Sequence, residues 1–325
     1  MSTPTVPQLR ALVAVADSLH FSGAATELGV SQPSVSSAIA GLETGLGAFL
    51  VERSTRRVLL TPVGEKVAAQ ARAVLASLDR LMDVAREAGQ PFSGPMRLGL
   101  IPTVAPYVVA PVLATLARHF PRLQPDITEA HTSRLLGDLA VGQLDAVLLA
   151  LPSGAIAVSE LPLYDEEFVL LVPDDHPLAG ASDLDPGVLR DLRLLLLDEG
   201  HCLRDQTLDI CRQVGAATTH PARAASLTTV AQLVAAGLGV TLLPASAIAV
   251  ETRKGHLATA RFGAPAPGRR LGLVHRAEDP RADEYAAIAA ELRRGVARTS
   301  LPLRVRADSP ARPNEAARAL EATRG

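Results

Sequence analysis

Cys202 and Cys211 are the only thiols in a chain of 325 residues. They stand nine positions apart, beginning in the string Asp198-Glu199-Gly200-His201-Cys202-Leu203-Arg204-Asp205-Gln206. Gly200-His201 leads into a helical pattern over 203–214, so Cys202 falls at or near a helix N-terminus. There the helix dipole and the free backbone N–H groups favour a thiolate. Arg204 adds a positive charge and Asp205 opposes it. A thiolate is the nucleophile that attacks peroxide to give a sulfenic acid, and a second thiol can condense with that product to a disulfide. If one helix carries both cysteines, their Cα atoms lie ~13.5 Å apart at ~1.5 Å per residue, whereas a disulfide needs ~4.4–6.8 Å. One fold cannot hold both the separated and the bonded pair, which is the property of a switch. The plainer reading, two buried thiols acting as small hydrophobes, stays open on the residues alone. No metal or other cofactor is expected, because His201, Cys202 and Cys211 offer at most three ligands at unsuitable spacing.

The elements that must position these residues follow from pattern. Hydrophobic residues make up 48% of the chain and charged residues 20%, enough for a large core and inconsistent with global disorder. The length predicts two domains or three. Strands are expected at 96–101, 126–130, 145–150, 167–172, 193–197, 239–243 and 270–274, with helices at 107–120, 132–141, 203–214, 227–236 and 282–294. The first strand–helix–strand unit implies parallel pairing with a right-handed crossover. The class is α/β with open, mainly parallel sheets, two of them flanking a ligand cleft. Ahead of this region Thr61 caps a long helix, Pro62 suits its first turn, and Gly89 with Pro91 stops it. Val67, Ala71, Val74, Leu78, Leu81 and Ala85 recur along it at heptad spacing. A helix ~40 Å long exceeds what the small N-terminal domain can cover, which favours a two-chain coiled coil. Residues 299–325, rich in Ala, Arg and Pro, read as a loosely structured tail.

At the N-terminus, helices are expected at 9–17 and 22–28, with Gly29 as a left-handed stop. Ser31 then caps a third helix over 32–44, with Pro33 in its first turn. Helix, short turn, helix is the geometry that lays a second helix in the DNA major groove. Gln32, Ser34, Ser36 and Ser37 supply side chains able to meet base edges or phosphates. Arg53, Arg56 and Arg57, before the strand-like 58–61, suit phosphate or minor-groove contact. Charge alone does not establish DNA binding: the chain carries a net charge of −2. Nine aromatic rings (Tyr 3, Phe 6, Trp 0) exclude a row of base-stacking platforms. The apolar run 11–16 is too short for a signal core, and the stretch near 234–250 is broken by Gly237, Gly239 and Pro244, so no membrane partner and a cytoplasmic location are expected.

The ordered string Phe21-Ser22-Gly23-Ala24-Ala25, Val30-Ser31-Gln32-Pro33-Ser34-Val35-Ser36, Leu50-Val51-Glu52-Arg53 and Leu60-Thr61-Pro62-x-Gly64 resembles LysR-type transcriptional regulators. That resemblance implies an N-terminal winged helix-turn-helix over 1–61 and a dimerising linker helix over 62–90. It also implies a periplasmic-binding-protein-like effector domain over 94–298 with two Rossmann-like subdomains, about 94–165 with 266–298 and about 166–265. Where family recognition helices often carry Arg or Lys, this chain has Ala38, Ala40 and Gly41, which shifts weight onto the wing arginines.

The Gly200–Gln206 string with its second cysteine resembles the hydrogen-peroxide sensors of that family, the OxyR group. So do Gly99-Leu100-Ile101-Pro102-Thr103-Val104-x-Pro106-Tyr107, Glu129-Ala130-x-Thr132 and Gly237-x-Gly239-x-Thr241-Leu242-Leu243-Pro244. The resemblance implies a peroxidatic Cys202, a resolving Cys211, and a peroxide pocket of Thr103, Thr132, His201, Asp205 and Arg269. It implies double-stranded operator DNA, hydrogen peroxide and further copies of the chain (dimer or tetramer) as partners, with RNA polymerase a candidate, and a regulator rather than an enzyme. The rival reading is a LysR-type regulator whose inter-subdomain cleft binds a small organic effector.

Overall fold

The computed structural model describes residues 2–53, 58–87, 91–216, 223–253 and 255–305. The chain divides into two compact units that meet in sequence near residue 89. In the first, α1 (Val6–Ser18), α2 (Phe21–Leu28) and α3 (Gln32–Leu46) pack around Leu12, Val15, Ala24, Val35, Ile39 and Leu42, all buried. Gly29 ends α2 in the left-handed region, and the Ser31 hydroxyl accepts from the Ser34 N–H at the start of α3. The hairpin β1 (Val51–Arg53) and β2 (Val58–Leu60) follows. Glu43 of α3 pins its entry, its carboxylate accepting from the N–H groups of Leu50 and Val51 at 2.8 and 3.1 Å. Next comes α4 (Pro62–Glu87). Its Gly64 lies so close to the wing that a Cβ there would stand 2.0 Å from the Leu50 carbonyl oxygen, so no larger residue fits.

One face of α4 differs from expectation. Ala71 is buried and Val67 packs against the same core as α1, so the first half of the expected heptad seam is spent inside its own unit. The reason is α1, which lies along that half and is tied to it by an Arg72–Asp17 ion pair of 2.5 Å. Val63, Val74, Leu81 and Met82 are exposed, and the side chain of Ala85 is outside the described residues.

The second unit runs β3 (Ser93–Leu100), α5 (Ala105–His119), β4 (Arg122–Glu129), α6 (Thr132–Ala140), β5 (Ala146–Leu151) and β6 (Val158–Pro173). It continues with β7 (Leu196–Leu197), α7 (Cys202–Val214), β8 (Arg223–Ala224), α8 (Leu227–Ala235), β9 (Thr241–Pro244) and α9 (Ile248–Glu251). Last come β10 (Leu257–Arg261), β11 (Gly268–Arg276), α10 (Ala282–Ala297) and β12 (Leu303–Val305). β3 pairs in parallel with β4 and β5, as the expected crossover requires. β6 is shared between two lobes: Val158–Glu167 pairs with β11, while Val169–Pro173 pairs with β10. The partner of β6 therefore changes between Glu167 and Val169, beside Gly268 at the start of β11.

Three expectations need correction. The sheets are mixed rather than mainly parallel, because β11 runs antiparallel to both β5 and β6, and β9, β10 and β12 run antiparallel to β6. The strand expected at 167–172 begins at Val158, since its polar first half is covered by β11. The tail expected from residue 299 contributes β12, whose Leu303 and Val305 pair with Glu166 and Tyr164; residues 306–325 lie outside the described residues.

Candidate functional site

Strands β3, β4 and β7 end on loops that lead into α5, α6 and α7, and the residues of interest sit on those loops. Ligands of open α/β sheets bind at such carboxyl ends. Cys202 is the first residue of α7, preceded by His201 in extended conformation as N-cap; its side chain is half-buried and packs against the main core. Cys211 lies on the same helix but is fully buried in a separate cluster with Leu170, Val172, Leu189 and Val240. Both thiols are free. Continuous α-helix between them gives a Cα separation of ~13.5 Å, outside disulfide reach. Burial pushes the Cys211 thiol pKa up, so it is held protonated where it lies.

His201 is buried, and its Nε2 lies 3.2 Å from Nε2 of His131, which directly precedes α6 and is exposed. The rings meet edge to face with centroids 4.3 Å apart. Burial first, and the neighbouring His131 second, lower the His201 pKa, with the Ala225 backbone and Asp198 partly offsetting them. Gly200 makes room for His131: at φ +95° it is in glycine's territory, and a Cβ there would stand 2.9 Å from the His131 Nδ1. Three side-chain atoms on these elements are buried with no hydrogen-bond partner: Thr132 Oγ1, His201 Nδ1 and Gln206 Oε1. Unpaired buried polar atoms cost ~1–3 kcal/mol each, so three of them at the starts of α6 and α7 suit a polar ligand.

Thr103 and Arg269 belong to a second buried polar group. The Arg269 side chain is wholly buried; its Nη1 and Nη2 donate to the Thr103 Oγ1 and carbonyl at 2.8 and 2.9 Å, and its Nε donates to Glu166 at 2.8 Å. Glu166 also accepts from the Ser246 N–H at 2.9 Å. Because Thr103 Oγ1 is an acceptor toward Arg269, its own O–H is left to donate elsewhere. This chain of contacts joins the two lobes through buried groups. A second such link runs from the Tyr107 hydroxyl to Glu251 at 2.7 Å, with Thr228 on the same carboxylate oxygen at 3.1 Å.

The structure thus joins Thr103 to Arg269 and puts His201 beside Cys202. Asp205 is exposed in the first turn of α7. Sequence reasoning did not find His131, Gln206 or Glu166. His131 beside Thr132 and Gln206 one turn after Cys202 carry a local signal, whereas Glu166 carries none until β6 and β11 are paired. The cavity of about 390 Å³ at the rim of the changeover is lined by Asp165, Glu167, Arg269, Arg270 and Arg304, and of the expected pocket residues only Arg269 reaches it. Among the described residues no group of three or more His, Cys, Asp or Glu is arranged to hold a metal ion.

In the first unit, Ser31, Gln32, Pro33, Ser34 and Ser37 are exposed along the start of α3, and Ser36 is half-buried. Arg53 ends β1, its side chain outside the described residues; Arg56 and Arg57 lie wholly outside them. No described helix is long and apolar enough to cross a membrane.

Known proteins match both units. Residues 6–65 match the family described as bacterial regulatory helix-turn-helix protein, lysR family, and residues 89–297 match the LysR substrate binding domain. A probable hydrogen peroxide-inducible genes activator of Streptomyces viridosporus is 52% identical over 307 residues, 93% of this chain and 97% of that protein. Among solved structures, a hydrogen peroxide-bound mutant of Corynebacterium glutamicum OxyR is 46% identical, covers 91% of this chain and 93% of its own, and superposes with a TM-score of 0.64. A full-length OxyR variant of Pseudomonas aeruginosa is 35% identical over 96% of this chain and 100% of its own, with a TM-score of 0.72. With a family match over most of the chain and a relative sharing half its residues nearly end to end, the chain belongs to the LysR family of bacterial regulatory proteins, in the group of the hydrogen peroxide-inducible genes activators.

Proposed function

We propose that this chain is a cytoplasmic transcription regulator that binds double-stranded operator DNA and answers hydrogen peroxide through Cys202 and Cys211. The observation that carries the reading is the pair of free thiols on one helix, the first at its amino end and the second sealed in a different apolar cluster. The Cys202 thiolate attacks one peroxide oxygen; the S–O bond forms, the O–O bond breaks, and the second oxygen leaves as hydroxide, which takes a proton to become water. Cys211 then displaces hydroxide from the sulfenic sulfur, which closes the disulfide and releases a second water once a proton is taken up. That second step requires the distal part of α7 to leave its cluster, so the bonded state is a different conformation.

In this reading Thr103, held by Arg269, donates its hydroxyl proton toward peroxide, and Thr132 and His201 supply the facing polar atoms. Asp205 tempers the positive end of α7 from its exposed side. The exposed start of α3 enters the major groove with Gln32, Ser34 and Ser37 toward base edges. Arg53, Arg56 and Arg57 reach the backbone or minor groove. Exposed Val74, Leu81 and Met82 on α4 meet a second copy, so that paired units span two half-sites, and RNA polymerase is the downstream partner. The test maps thiol state by mass spectrometry before and after micromolar peroxide, beside a footprint on operator DNA. Cys202→Ser is expected to bind DNA with no peroxide response; a full response in that variant overturns the assignment.

A further inference from the structure

The departing hydroxide needs a proton, and the described contacts outline a path for one. We infer that His131 is a positioning residue for the peroxide reaction, relaying a proton from solvent through His201 to the oxygen that leaves when Cys202 is oxidised. This rests on the peroxide reading above.

The geometry is specific about direction. His131 and His201 meet nitrogen to nitrogen, Nε2 to Nε2 at 3.2 Å, so one ring must donate and the other accept. His201 is buried and its pKa is lowered by that burial, so its ring is neutral and carries one proton. With His131 donating, the His201 proton resides on Nδ1, which faces the Ala225 backbone and makes no hydrogen bond of ordinary geometry. An imidazole so arranged takes a proton at Nε2 and releases one at Nδ1. His131 is exposed and in reach of water. The remaining groups around the pair do not short-circuit it. Asp198 faces His201 from the segment after β7, with the Ala225 backbone on another side, and both favour the protonated ring that must form transiently. Glu199 of the same segment pairs with Arg204 of α7 at 3.6 Å. Gly200, the residue before His201, is the backbone on which His131 rests.

The balance closes. The thiol proton of Cys202 has gone to solvent in forming the thiolate. An electron pair moves from sulfur to oxygen, sulfur is oxidised to the sulfenic state, and peroxide is reduced to water with the proton from His201 Nδ1. His131 restores that proton through Nε2 and is recharged by water.

The test uses the full reduced chain, adds hydrogen peroxide, and follows the loss of Cys202 labelling by a thiol alkylator between pH 5.5 and 8.5. His131→Gln retains an N–H able to bond His201 Nε2 but cannot pass a proton. Its oxidation rate is expected to fall about tenfold near neutrality, below the ~10²–10⁴-fold of a direct proton donor. The variant also has a changed pH profile of oxidation, while operator binding by the oxidised form is unchanged. A His131→Gln protein with the parent's rate and pH profile overturns the relay and leaves the peroxide reading intact. A parent chain inert to peroxide sinks that reading and the relay with it.

Discussion

Arg269 offers the sharpest structural test, because its charge is wholly enclosed and every bond it makes crosses between elements far apart in sequence. Replacing it with Met keeps the aliphatic stem and removes the guanidinium. Glu166, also wholly buried, is then left with only the Ser246 N–H in place, and Thr103 loses two donors. Removing one partner of a buried ion pair costs ~3–5 kcal/mol, chiefly through the charge left behind. At a urea dependence of ~3 kcal/mol per molar, the effector transition is expected to move down by ~1–1.7 M. The Arg269→Met/Glu166→Leu double variant removes both charges and is expected to recover part of the loss. What stays lost is the unpaired Ser246 N–H and Thr103 carbonyl, at ~1–3 kcal/mol each if buried without a new partner. Urea unfolding of the full reduced chain, followed by far-UV circular dichroism with the effector transition resolved, gives the numbers. A single variant within ~1 kcal/mol of the parent, or a double variant no better than the single, refutes the argument that this pair locks the lobes.

Gly200→Ala places a methyl group against His131 at a backbone angle that L residues rarely adopt, costing ~1–3 kcal/mol; loss of the His131–His201 contact should show as changed imidazole NMR shifts, and unchanged shifts count against the packing. Leu81, 62% exposed on α4, is expected to weaken self-association when changed to Glu, by ~1.5–3 kcal/mol per copy if the side chain is buried in the dimer; sedimentation that shows the parent's oligomer argues against this seam. His201 and His275 are buried with pKa values lowered from 6.5, mainly by burial. The unfolded chain therefore binds protons that the folded chain refuses, so stability is full above pH 6.5 and lost as pH falls below it; a urea midpoint that stays flat between pH 7.5 and 5.5 contradicts that sign. Ser31→Ala removes the cap of α3 and should cost ~1 kcal/mol in the N-terminal unit, measured by thermal unfolding.

The residues alone determined much of this protein where the deciding interactions lie within a few positions of one another. Gly29, Ser31 and Pro33 set the turn and the start of α3 through a left-handed stop, a cap and a fixed φ, and each operates inside one helical turn. The start of α7 at Cys202 was legible for the same reason, and with it the separation of the two thiols along one helix axis. Tertiary structure decided what depends on distant partners. The His131–His201 pair spans 70 positions and the Thr103–Arg269 pair 166, and neither has a periodic or local signature. The mixed sheet, the shared strand β6 and the added edge β12 arise from which backbone donors face which acceptors after the chain has doubled back. The division of α4 into a face spent on α1 and a face left exposed followed the same logic. Apolar spacing marks a face for burial; only the packed neighbour shows what buries it.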